Sequence, residues 1–455
     1  MIFDEKLSWN SHINNLKIKV KESMNILKVV SGFSWGADKK TLLRLYDTLC
    51  RSKLDYGCQI YSSACKTKLK ELDVVHNMGI RICTGAFRTS PVESLYVDSN
   101  ELPLDLRREE LGLRYMTRIK SAPKNPTFKM LTECSSSKFG ARSSKPFQIR
   151  LLEDLEDITI RRQKIQPLEH PPVPPWLVPK VTICEKHLTR SGKSDNEIKY
   201  QFLEHNVRHS KHEKFYTDGS KCESGVGCAV VYKDTSYITK LPEFASVFTA
   251  EITAIIQALE LICHSKQRNF VIYSDSKSVL ESLSKYNAFH PLIQKAQEWL
   301  FRISCRLKSV CFCWIPAHVG ITGNEQADKE AKVASKGNTI NVTKIPHCDM
   351  KRPIRSYILK KWQERWSSPL LVNNKKYREI RSSIANWSSS FNSDRKTEII
   401  LSRLRIGHTR ITHKFILESG NPPECDRCNT VLTVRHFLLS CPKYFLYMEN
   451  LFLKF

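Results

Sequence analysis

Apolar positions recur at helical spacing through the first 120 residues. In LLRLYDTLCRSKLDYGCQIY (42–61), Leu42, Leu45, Tyr46, Leu49 and Tyr56 share one face, with basic residues between them. KTKLKELDVVHNMGIRICTG (66–85) repeats the pattern and stops at Gly85, a candidate C-cap, and LDLRREELGLRYMTRI (104–119) predicts a further helix. Residues 121–150 turn serine- and lysine-rich, and QPLEHPPVPPWLVPK (166–180) holds six prolines in fifteen positions, the composition of a semi-rigid spacer. Beyond it the pattern alternates. KFYTDGS, GVGCAVVY and SYITKL predict three short strands in a meander. VFTAEITAIIQALELIC (247–263) predicts a helix with Phe248, Ile252, Ile255, Leu259 and Ile262 on one stripe. NFVIYSDS predicts a buried strand, SKSVLESL and PLIQKAQEWLFRI helices, SVCFCWIP a last strand, and TGNEQADKEAKVASK a closing helix capped by Thr322.

Three antiparallel strands followed by alternating helices and strands predict an α/β mixed sheet with helices packed on it. The expected organisation is a helical region over 1–120, a linker over 121–212, the mixed-sheet domain over 213–338, a basic helical region over 339–420 and a small Cys/His unit over 421–445.

Composition narrows the class. The 455 residues are 41% hydrophobic, which excludes global disorder, and no run approaches the roughly 18 apolar residues of a membrane span. The opening MIFDEKLSWN places acids where a signal peptide carries positive charge. Most of the 16 cysteines stand alone in apolar patterns, as small buried hydrophobes of a reducing compartment do. An intracellular protein, neither secreted nor transmembrane, is expected. The net charge of +26 points to a polyanionic partner. It is unevenly spread: 214–337 carries +3 and 338–420 carries +11. A basic helix with an exposed apolar face is not apparent, which disfavours a membrane surface as the partner.

Four acids in the mixed-sheet domain stand where structure alone would not put them. Asp218 and Asp275 end strands, Glu251 borders an apolar helix stripe, and Asp328 lies in the first turns of the last helix. Read singly, Asp218 is a turn residue, Asp275 an N-cap, Glu251 a solvated helix residue and Asp328 an acid favoured by the helix dipole. Read together, two strand ends and two helices can converge on one sheet edge. Clustered carboxylates repel and lose hydration, so they need a cation, and an all-oxygen set favours magnesium or manganese. Two such ions suit in-line attack at a phosphodiester.

FYTDGS, TAEITAIIQALE, VIYSDSKSVL and WIPAHVGITGNEQADKEA, in that order, resemble the four acidic blocks of type 1 ribonuclease H domains. The resemblance spans 213–338. It implies hydrolysis of the RNA strand of an RNA–DNA hybrid to 3′-hydroxyl and 5′-phosphate ends, with Asp218, Glu251, Asp275 and Asp328 as the magnesium-binding tetrad. It also implies that His318 is a mobile proton-shuttling residue and that Ser220 and Asn324 contact substrate.

The flanks carry their own signals. IFDEKLSWNSHINNL through LDLRREELGLRY resembles the thumb region of jockey-like non-LTR retrotransposon reverse transcriptases. The sequence contains no Asp-Asp dipeptide, so no polymerase activity is expected, and the chain reads as a truncated retrotransposon polyprotein. Near the other end, Cys425, Cys428, His436 and Cys441 have the donor types and spacing of a tetrahedral zinc site. The pattern resembles the C-terminal knuckle of non-LTR elements, and sequence-tolerant binding of single-stranded nucleic acid is its expected use. Between the two, Trp362, Trp366, Tyr377 and Trp387 interleave with lysines and arginines and would either stack on bases or pack between helices. No small-molecule cofactor is expected. The rival reading is a catalytically silent nucleic-acid-binding remnant of a retroelement.

Overall fold

The computed structural model describes residues 1–133, 149, 160, 162–168, 173–184, 194–285, 289–385 and 394–443. The chain divides into two compact units, one from described residues within 1–113, 136–154 and 355–455, the other from those within 114–135 and 155–354.

The first unit begins with α1 (Asn10–Val30), α2 (Lys39–Tyr46), α3 (Lys66–Thr84) and α4 (Val92–Ser99), followed by α5 (Leu104–Lys120), whose first residues belong to it. Gly85 ends α3 with φ 64°, the left-handed cap its sequence predicts. The stripe predicted over 42–61 does not persist. A π-helical turn at Asp47–Arg51 inserts an extra residue per turn and shifts the phase of the face. Leu54 is buried after the slip, and the helix then stops at Asp55: Tyr56 is extended and 74% exposed, Gly57 turns with φ 68°, and Cys58 is buried at the start of the next turn.

The second unit is built on a six-stranded sheet. Its strands are β1 (Ile183–Cys184), β2 (Glu213–Cys222), β3 (Gly225–Tyr232), β4 (Thr235–Leu241), β5 (Asn269–Ser274) and β6 (Ser309–Trp314), in the spatial order β1-β6-β5-β2-β3-β4. The pairs β2/β3 and β3/β4 are antiparallel, and the others are parallel. This is the mixed sheet the alternation predicts, with an added edge strand. Its helices are α6 (Asp195–Arg208), α7 (Val247–His264), α8 (Lys277–Leu283), α9 (Pro291–Cys305) and α10 (Thr322–Lys336). α7 is apolar enough by composition to cross a membrane, but two-thirds of it is buried in the protein, where it is the core helix of the sheet.

Several elements arise where the sequence predicts linker, and two of them join the sheet unit. β1 extends the sheet edge, and α6 opens with a capping box in which Ser194 and Glu197 each bond the other's backbone. Ile198 and Phe202 of α6 pack on Tyr273 and Cys313 of the sheet and on Val319 and Ile321 of a loop. Burying each such side chain contributes about 1.5–3 kcal/mol. The closing helix also starts differently: Thr322 is its first residue, its cap Ile321 makes no side-chain bond, and Glu325 accepts instead from the Gly320 N–H at 3.1 Å.

The basic segment returns to the first unit. α11 (Lys351–Ser367), α12 (Lys375–Ile380) and α13 (Arg395–Ile406) supply buried Trp362, Trp366 and Tyr377, so these aromatics pack between helices; Trp387 lies outside the described residues. Many of the cations expected to grip phosphates are engaged internally. Lys361 pairs with Glu109, Arg365 with Glu93 and Asp105, and Arg395 donates to the carbonyls of Ile82 and Cys83.

Candidate active site

Parallel pairing of β2 with β5 sets Thr217 opposite Ser274, so Asp275, just past the end of β5, lies level with Asp218; β2 itself does not end at Asp218, as the sequence predicts, but runs on to Cys222 with Asp218 opposite Ala229. Gly219 lets α7 close on that level. A Cβ there would lie 2.6 Å from the Glu251 backbone nitrogen and 2.8 Å from the Ala250 Cβ. Glu251 is thereby pressed beside Asp218. The carboxylate oxygens of Asp218, Glu251 and Asp275 lie within 4.8 Å of one another.

These three groups are strongly perturbed. Asp218, 5% exposed, has its pKa raised to about 6, first by burial and then by the charge of Asp275. Its Oδ1 accepts from the Gly219 N–H at 2.8 Å. Glu251, 4% exposed, is pushed well above the ordinary carboxylate range by burial and then by Asp218 and Asp275. The Glu251 Oε2 is buried without a hydrogen-bond partner. Asp275 is raised by burial, against a hydrogen bond from Asn324 that favours its charged form. Crowded, desolvated carboxylates with an orphaned oxygen fit a hard divalent cation, which would relieve burial and repulsion together.

Asp328 is held apart from these three. It groups with His318 and Glu325, with ligand atoms within 4.8 Å of one another, and pairs with Lys332 at 2.6 Å. Its charge still reaches Asp218 and Asp275. His318 has φ 55°, and its side chain is 67% exposed, with Nδ1 4.0 Å from an Asp328 oxygen. Asn324 is buried and favours the charged form of Asp275. Ser220 is half-buried on β2, opposite Gly227.

Three residues near the site escape the sequence reading. Trp314 ends β6, and its Nε1 donates to the Asp275 carbonyl oxygen at 2.9 Å, fixing the strand end. Glu325 and Lys332 flank Asp328 at helical spacings of three and four, the only local signal of their proximity.

The cysteine cluster is also assembled. Cys425, Cys428, His436 and Cys441 offer ligand atoms within 4.8 Å of one another. Cys425 and Cys441 sulfurs are 3.6 Å apart, and those of Cys428 and Cys441 3.9 Å. Tetrahedral zinc with Zn–S near 2.3 Å requires roughly 3.8 Å between sulfurs. A tight turn aligns them: the Cys425 N–H donates to the Thr430 carbonyl at 2.9 Å, and the Asn429 N–H to the Cys425 carbonyl at 2.8 Å. A hydrogen bond with His436 lowers the Cys425 thiol pKa to about 6, toward the thiolate that a metal binds.

Comparison with known proteins agrees with this geometry. Residues 210–336 match the family model described as RNase H. The chain is similar to the Pol polyprotein of equine infectious anemia virus (strain Wyoming), at 36% identity over 125 residues. That match covers 26% of this chain and 10% of the viral polyprotein. The sheet unit thus contains an RNase H domain, a class that works with divalent metal ions on RNA–DNA hybrids.

Proposed function

We propose that this chain cuts the RNA strand of RNA–DNA hybrids endonucleolytically, leaving 3′-hydroxyl and 5′-phosphate ends, with Asp218, Glu251, Asp275 and Asp328 holding two magnesium or manganese ions. The observation that carries this is the trio of carboxylates gathered within 4.8 Å, two of them buried and one with an orphaned oxygen. Ions bound there would activate a water and stabilise the leaving oxygen. Asn324 and Trp314 keep Asp275 aimed at the site through its side chain and its carbonyl, respectively. Asp328 takes part by exchanging its Lys332 partner for the shared site. His318, exposed on its loop beside Asp328, can carry a proton at Nδ1 to or from the reacting ends.

The wider context we infer is a jockey-like retroelement polyprotein, with residues 1–120 related to a reverse transcriptase thumb and the Cys425 cluster acting as a zinc knuckle on single strands. The similarity to a viral Pol polyprotein and the sulfur spacing support it. A second reading, binding without cleavage, draws on the Lys332–Asp328 pair, which occupies the fourth acid.

The test offers full-length protein a labelled hybrid, single-stranded RNA and duplex DNA, each with magnesium, manganese or chelator. Cleavage confined to hybrid RNA and dependent on the metal is expected. Asp218→Asn and Asp275→Asn should each abolish turnover, and His318→Ala should slow it without abolishing it. Robust cleavage by both aspartate variants would overturn the assignment. Tight hybrid binding with no cleavage under either metal would favour the second reading.

A further inference from the structure

A cavity of about 490 Å³ opens in the sheet unit where the start of β2, the end of β3 and the start of α10 meet. Lys211 and His212 border it from the turn before β2, Lys214 and Tyr216 from the strand, and Lys233 from the turn after β3. Among the described residues, Glu213 is the one carboxylate on its wall, and Lys233 pairs with it at 3.2 Å. Lys211 and Lys214 have no acidic partner among the described residues, although Lys214 is half-buried. An ammonium group that loses hydration without a counter-charge favours the arrival of an anion.

The facing wall adds neutral donors. α10 starts there behind Ile321, which brings no side-chain acceptor, so the N–H groups of Thr322 and Gly323 stay uncapped at the positive end of a 15-residue helix. The Thr322 hydroxyl and the Gln326 amide border the same space, and His212 Nδ1 is buried with no partner. Gly323 lets the helix begin close against β2, since a Cβ there would strike the Tyr216 ring. Ammonium groups, a hydroxyl and open amides around one space are the donor set that holds a phosphate group.

The position ties this cavity to the acidic site. Side chains alternate along a strand, so Lys214 and Tyr216 share the face of Asp218 on β2. Gln326 stands two residues before Asp328 on α10. Lys214 lies about 13 Å from Asp218 along the strand, close to four steps of roughly 3.4 Å along a nucleic-acid duplex. We propose that the cavity seats a backbone phosphate of the nucleic acid held at the acidic site, about four nucleotides from the bond cut there, an assignment that rests on the hydrolase reading above.

The experiment uses full-length Asp218→Asn protein with magnesium, so that the hybrid stays whole. Lysine acetylation is read by mass spectrometry beside the anisotropy of labelled hybrid. Bound hybrid should remove most of the reactivity of Lys211 and Lys214 and spare Lys266, which is exposed beyond the far end of α7. Inorganic phosphate and a nucleoside triphosphate form parallel arms, and neither should protect at the same phosphate concentration. Lys211→Gln combined with Lys214→Gln should make the slope of log affinity against log salt shallower by about 0.7–0.9, with unchanged circular dichroism. Should the double variant fail to fold, Lys211→Gln alone, on the exposed turn, must flatten the slope. Hybrid that binds yet leaves both lysines reactive, or protection by free phosphate and not by hybrid, would overturn the cavity assignment alone. Hybrid that does not bind would overturn the hydrolase reading with it.

Discussion

Asn324 and His76 show how much a single buried polar group decides. Asn324 is buried and favours the charged form of Asp275, so its replacement is expected to act through that carboxylate. Asn324→Ala should lower magnesium-dependent hybrid cleavage by about 10–100-fold, with a matching loss of apparent magnesium affinity. Loss of hybrid affinity alone, at unchanged metal dependence, would instead make it a substrate contact. His76 lies in the core of the helical unit, bonded to the Tyr46 hydroxyl. Burial lowers its pKa from 6.5 to about 3. His408 is likewise lowered to about 3, by burial and then by His413. Between pH 6.5 and about 3 the unfolded chain binds protons at these positions that the folded chain refuses. Stability should therefore fall with falling pH across that window, by up to about 1.4 kcal/mol per pH unit for each histidine. Chemical denaturation at pH 7 and pH 5 checks this, and His76→Gln should remove one histidine's share of the slope.

At the scale of elements, the acidic site depends on how closely a helix approaches a strand. Gly219 is the contact point between β2 and α7, and a methyl group there meets backbone rather than a yielding side chain. Gly219→Ala should cost about 1–3 kcal/mol of stability by overpacking and should cut cleavage more than stability alone explains, because Glu251 is displaced from Asp218. A thermal melt and a magnesium titration on the same preparation separate the two effects. The strands β2 to β6 and helix α7 are legible in the sequence because each follows its own periodicity; of the acids, Asp275 does follow the end of its strand, whereas Asp218 lies inside β2, Glu251 in the second turn of α7 and Asp328 in the second turn of α10. α6 and β1 are not. β1 is two residues long and exists only through pairing with β6, and α6 exposes Tyr200, Leu203 and Val207, which blurs its apolar stripe. The phase slip at Asp47–Arg51 is hidden for a related reason: a π turn leaves no periodic signature of its own.

Over the whole molecule, the N-terminal helices and the basic C-terminal segment form one unit around a buried charge. Lys39 and Asp98 pair at 2.9 Å with both side chains fully buried, and Ser402 and Tyr377 donate to the two Asp98 oxygens at 2.8 and 3.1 Å. Removing one partner strands the other in the core, at a cost of about 3–5 kcal/mol. Asp98→Ala should lower the thermal midpoint of the helical unit while hybrid cleavage by the sheet unit persists; a single transition shifted together with loss of cleavage would contradict that independence. The sequence by itself determined the mixed sheet, the identity of the acids and the Cys/His spacing, because these rest on local periodicity and on chemistry confined to short motifs. Only the tertiary structure decided which charges are free. Beside the local Lys332–Asp328 pair one turn apart on α10, it spends Lys361, Arg365 and Arg395 on partners and carbonyls of the helical unit. Whether a cation faces a phosphate or a carboxylate depends on what lies within about 4 Å of it, and for three of these side chains that neighbour is hundreds of residues away along the chain.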